Sequence, residues 1–143
     1  MTADDVYQEL EKIRGEQGGL LRPEDVVEIA SPEDHPLHNR FEWDDTIAGR
    51  EYRLWQAREL ILSVKVIIEG GSPEPMRAYV SLKEDRRTGE GYRHLDDVRH
   101  DKERYRTLLR EAAGEMRRFQ TRYQNLSELK PIFEIADVVF KKI

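Results

Sequence analysis

The sequence predicts an α+β fold: an N-terminal three-helix unit of winged-helix-like order, a β-hairpin, a long heptad-patterned helix and a short final helix. Three observations predict it. Apolar residues recur at helical spacing in separate segments of the first 62 residues. The spacing then switches to alternation on both sides of a Gly/Pro loop at 70–75. A seven-residue repeat finally runs from Tyr105 to Leu126.

Each element follows from its residues. Val6, Leu10 and Ile13 stand at i, i+4, i+7, which predicts a helix over 4–14, started by Thr2 and ended by Gly15, Gly18 and Gly19. Pro23 opens a second helix at the position where its missing N–H costs nothing, with Glu24 and Asp25 at the positive end of the dipole. Val26, Val27, Ile29 and Ala30 supply its buried side, and Ser31–Pro32 closes it. In EDHPLHNRFEWDD, Leu37 and Phe41 lie four apart, so one helical turn from Pro36 puts them on one face. Asp45 then reads as the N-cap of a third helix from about Thr46 to Leu62. Its apolar stripes are Ala48, Tyr52, Trp55 and Leu62, and beside them Ile47, Leu54 and Ile61.

From Ser63 to Glu69, Val64, Val66 and Ile68 alternate as in a strand, and Met76, Ala78, Val80 and Leu82 resume the alternation after GGSPEP. Two strands alone are marginal, so the hairpin must lie on helices. Glu84–Tyr92 reads as a charged turn. From Asp96 to Leu126 the pattern is helical, and Tyr105, Leu109, Ala112, Met116, Phe119, Tyr123 and Leu126 form a strict heptad seam. Its tyrosines and alanine suit packing on the body of the domain, or a mixed helical dimer, better than a dedicated zipper. Pro131 stops or restarts the helix, and Ile132 to Phe140 make a short apolar one. The expectation is a single domain over 1–143, subdivided as 1–62, 63–92 and 93–143.

Composition limits the chemistry. Hydrophobic residues are 38% and charged residues 37%, with a mean hydropathy of −0.80, so the core is thin and the surface heavily charged. The absence of cysteine removes disulfides, thiolate metal sites and cysteine nucleophiles. No apolar run approaches the roughly 18 residues of a membrane span, and MTADDVYQELEK lacks the features of a signal peptide, so a soluble intracellular protein without a membrane partner is expected. His35, His38, His94 and His100 show no metal-ligand spacing. His38 reads instead as a partly buried histidine beside the aromatic cluster. Glu42, Asp44 and Asp45 are better explained by helix capping than by acid–base work. No nucleophile elbow or phosphate loop is present. Neither an enzyme nor a cofactor is expected.

The net charge of −5 conceals an asymmetry. Residues 1–45 hold 13 acids and 4 bases, a net −9, while residues 46–143 carry +4. Either the two halves neutralise each other or a basic face meets an anionic partner. Three helices followed by a hairpin is the order of a winged helix, which docks a helix in the DNA major groove. The nucleic-acid-binding candidates are Arg50, Arg53 and Arg58 on the third helix, and Arg86, Arg87 and Arg93 after the hairpin. The acidic front half opposes phosphate. The alternative is a protein-binding role: an acidic modulator of a host protein working through Asp4 to Asp45, or an assembly factor made oligomeric by the heptad seam.

One segment carries a resemblance. PLHNRFEWDDTIAGREYRLWQARELI contains Leu37–His38, Phe41, Trp43–Asp44–Asp45, Ala48, Tyr52–Arg53, Gln56–Ala57–Arg58 and Leu60–Ile61. This pattern resembles that of a family of small, functionally uncharacterised proteins encoded by bacteriophages and prophages. The helix PEDVVEIA and the strand Arg77–Leu82 are similar as well, so the resemblance spans half to two-thirds of the chain. It implies a phage or prophage origin and a setting in the host bacterial cytoplasm, and it supplies no catalytic residues. Physically the motif reads as mostly structural: Phe41 and Trp43 as a plug between helices, Tyr52 on a buried face, and Arg53 or Arg58 bridging to Asp44 or Asp45, or else binding a ligand.

Overall fold

The computed structural model describes residues 1–47 and 49–143 and divides into two compact units, Met1–Asp97 and Val98–Ile143. This boundary coincides with neither subdivision read from the sequence.

The first unit opens with α1 (Ala3–Glu16), which buries Val6, Leu10 and Ile13 as their spacing demands. Thr2 and Asp5 form a reciprocal capping box: each side chain accepts the other's backbone N–H. Gly15 stays inside the helix, and the chain turns at Gly18 and Gly19, both at positive φ. The helix α2 (Pro23–Ala30) begins at its proline and buries Val26, Val27 and Ala30. A 3-10 turn at His38–Arg40 then seats Leu37 and Phe41 in the core. His38 stacks flat on Trp43 at 4.9 Å, and its Nδ1 meets the Ala30 carbonyl at 3.0 Å. Trp43 donates to the His38 carbonyl.

The third helix corrects the sequence reading twice. It begins at Arg50, not Thr46, and its N-cap is Gly49, with no side-chain cap. Local bonds win over the earlier start: Asp44 accepts both the Thr46 N–H and the Thr46 hydroxyl, which ties 44–46 into a turn. Asp45 does not cap; it pairs with Arg53. The buried residues of α3 (Arg50–Ser63) are Leu54, Ala57 and Ile61. Tyr52 and Trp55 turn outward, about half exposed, and stack on one another at 5.7 Å. Of the two adjacent stripes, the one with a small residue beside it faces α2, because Ala57 admits a closer approach than an aromatic ring. Ile47 is 73% exposed, and Ala48 lies outside the described residues.

The hairpin forms, but in shorter pieces than the alternation predicts. β1 (Lys65–Val66) pairs antiparallel with β2 (Met76–Arg77), Val66 opposite Met76. At Ala78 the chain changes partner: β3 (Tyr79–Val80) pairs antiparallel with β4 (Arg93–His94), Tyr79 opposite His94. The crossing explains why Met76 is exposed while Ala78 and Tyr79 are both buried. The segment expected as a charged turn instead holds a helix, α4 (Lys83–Thr88), with acids in its first turn and arginines in its last, ended by left-handed Gly89. Gly91 is required by close approach. At φ 95° any added Cβ would lie 2.5 Å from the Leu21 carbonyl oxygen, where Leu21 and Tyr92 exchange backbone hydrogen bonds.

α5 (Leu95–Arg99) crosses the boundary between the units. The helix predicted to run unbroken from Asp96 breaks at His100–Asp101, where the Asp101 carboxylate takes the backbone N–H groups of Glu103 and Arg104 at 3.0 Å each. That caps α6 (Lys102–Tyr123), which stops short of Leu126, the last residue of the predicted seam, where the backbone is extended. A turn at Ser127–Leu129 leads into α7 (Lys130–Phe140), with Pro131 in its first turn. The two helices form an antiparallel hairpin: Gln120 donates to the Phe133 carbonyl and to Asp137, and the Phe119 and Phe133 rings meet edge-on at 6.1 Å. The only buried residues of these two helices are Ala113 and Ala136. No helix among the described residues is long and apolar enough to cross a membrane.

Candidate nucleic-acid interface

The six arginines nominated from the sequence do not converge on one surface. Arg53 is largely covered. It pairs with Asp45, reaches the Glu42 carbonyl and lies over the Trp43 ring at 5.6 Å. Arg86 donates to the Ser81 carbonyl, and Arg87 forks onto Glu84. Arg93 is committed to Asp85 and Glu90. Arg50 and Arg58 remain exposed on α3, in a unit that carries 22 acids against 13 bases. Tyr52, assigned by sequence to the buried face, lies on the open one.

The same unit contains a polar network that sequence reasoning missed. Tyr79, buried against the core, donates to Glu11 at 2.8 Å. Arg14 forks onto Glu11 and reaches Asp97 at 2.9 Å. The Asp96 N–H donates to Nδ1 of His94, so Nε2 carries the ring proton and donates to the Tyr7 hydroxyl at 3.2 Å. Burial pushes the Glu11 carboxyl up, but the hydrogen bonds from Arg14 and Tyr79 outweigh it and leave it below the usual carboxylate range. Burial, then the bond to Glu11, raises the Tyr79 hydroxyl well above an ordinary tyrosine. A hydroxyl so reluctant to ionise is a hydrogen-bond donor rather than a nucleophile. The network joins α1 to β3 and β4. Its local contacts, Glu11 with Arg14 and Asp96 with His94, lie within three residues of one another; the rest arises from pairing across 68 to 87 residues. Among the described residues no cluster of three or more histidines and carboxylates could hold a metal ion.

The convergent cationic surface lies in the second unit. An open groove of about 490 Å³ is lined by Arg99, Lys102, Arg106, Arg110 and Lys142, with His100 beside them. Tyr105, Leu109 and Ile143 form its apolar part. The α6 contribution follows from helix geometry: Lys102, Arg106 and Arg110 are spaced four apart and share a face. That spacing was legible in the sequence but overshadowed by the heptad seam running beside it. This unit holds 11 bases and 7 acids, so the +4 read over residues 46–143 belongs to 98–143, while Met1–Asp97 carries −9. The groove offers guanidinium and ammonium donors around one half-exposed aromatic ring, the set that phosphate with a neighbouring base or sugar would engage. No family model, curated protein or solved structure matches the chain.

Proposed function

We propose that this chain is a non-enzymatic, phage-encoded accessory protein that binds DNA through the basic groove of its second unit. The observation carrying this reading is the row Lys102, Arg106 and Arg110 on α6 facing Lys142 across an open groove. The phage origin rests on the motif between Leu37 and Ile61. The winged-helix reading of the first unit has the right element order in its favour. Against it stand the internal pairing of Arg53, Arg87 and Arg93 and the unit's −9 charge, so the contact is assigned to the second unit.

The test is fluorescence anisotropy with a labelled duplex of about 20 base pairs across a salt series. Engagement of four or five phosphates gives a slope of log K on log salt of about −4. Arg106→Ala with Arg110→Ala weakens binding at least tenfold with an unchanged circular-dichroism spectrum, whereas Arg50→Ala with Arg58→Ala does not. A flat salt response, or binding lost only through the α3 pair, overturns the assignment.

A further inference from the structure

The αα-hairpin of the second unit has two unlike faces. On one, Asp137 accepts from Gln120, and Arg117, Thr121 and Lys141 lie alongside. At 100° per residue, Ile132, Ile135 and Val139 come round to the other side of α7, and Phe119 to the other side of α6. All four of these large apolar side chains are exposed, Ile135 by 66%. A contiguous apolar face on a two-helix layer is what a further helical layer would cover.

We infer that the occupant is a second copy of this chain, packed hairpin on hairpin as an antiparallel four-helix bundle. Three observations favour a second copy over another partner. First, the α6 surface directed at α7 centres on Ala113 and Gln120, and the heptad seam lies about 90° from it round the helix. A helix in a four-helix bundle meets its two neighbours at that angle. Second, the seam is self-complementary when α6 lies antiparallel on its copy. Phe119 falls on Met116 of the second copy and Tyr123 on Ala112, large against small or equal, and each contact occurs twice. In that register Glu115 flanks Arg122 of the second copy on both sides of the dyad, so the charges also match. Third, the same two-fold axis serves both helices. It passes α6 at Arg117–Arg118. Gln120 bonds to both Phe133 and Asp137 and so stands level with Ile135, which puts the axis at α7 near Asp137 and Ile135 on Val139 of the second copy. Arg110, Arg117 and Lys141 stay on the outside of the bundle.

The experiment is sedimentation velocity and light scattering of the full chain, without DNA, from about 1 to 100 μM. The expected result is a mass twice the 16.9 kDa of one chain, falling on dilution. Ile135→Glu with Val139→Glu, at positions exposed in the single chain, gives a monomer with unchanged helicity. Glu115→Arg alone and Arg122→Glu alone each weaken association at least tenfold, and the double exchange restores it. A monomer throughout the range overturns the proposal and leaves the face to a different partner. So does a dimer indifferent to the Ile135 and Val139 changes, or a charge exchange without rescue.

Discussion

The Asp85 carboxylate, at 2% exposure a buried charge of the first unit, is gripped from one side by Arg93 and from the other by the backbone of Leu82. Nε and Nη2 of Arg93 donate to it at 2.8–3.0 Å, and the Leu82 N–H donates at 3.2 Å. The pair ties the first turn of α4 to β4, so a short helix and a two-residue strand that would be marginal alone are held in one piece. Glu90 shares the same guanidinium.

Removing one partner of such a pair leaves the other buried and uncompensated. Asp85→Ala is expected to destabilise the first unit by about 3–5 kcal/mol. Arg93→Lys, which keeps the charge but loses the fork, costs less. Urea unfolding followed by circular dichroism checks both. An Asp85→Ala variant within about 0.5 kcal/mol of wild type would mean that the pair is dispensable.

The orientation of α3 makes a second prediction. Trp55→Ala removes the largest side chain of the helix, yet it is half exposed and should cost less than about 1 kcal/mol. Leu54→Ala, one residue away and buried, should cost about 2–5 kcal/mol. The reverse order would restore the sequence reading that put Trp55 inside.

The third concerns acid. The Glu11 carboxyl is held below the usual carboxylate range by Arg14 and Tyr79 against the opposing effect of burial. A depressed folded value means that its stabilisation is fully present above the unfolded value, about pH 4.3, and is lost as pH falls through the folded one. Glu11→Gln should therefore destabilise by about 1–3 kcal/mol at pH 7 and flatten the acid limb of the stability profile below about pH 4.5. An acid limb identical to wild type would remove Glu11 as its source.

The Asp101 cap shows why one helix boundary was missed in the sequence. The apolar spacing continues across His100–Asp101, so periodicity reads one helix, and only the backbone turn there frees two N–H groups for the carboxylate. The start of α3 was missed for a related reason: Asp45 stands where a cap is expected, but Arg53 reaches Asp45 and Thr46 reaches Asp44, which ties up both carboxylates before the helix begins. Most of the nominated arginines proved to be committed for the same kind of reason. Charge type is written in the sequence, and the bridge from Arg53 to Asp45 is one its motif predicts, but the buried Asp85 that Arg93 meets lies eight residues away and comes into range only when the loop closes.

Periodicity and local capping, which act over a few residues, are enough to specify the helices α1, α2, α6 and α7, the turn that buries Leu37 and Phe41, and the existence of a hairpin. Tertiary packing set which stripe of α3 faces inward and where the chain changes partner at Ala78. It alone built α4 out of an apparent turn, joined Tyr7, Glu11, Tyr79 and His94, and gathered the cations of the second unit around one groove. Those outcomes depend on burial and on pairing between distant segments, which favour one among several locally equivalent arrangements and leave no periodic trace in the chain.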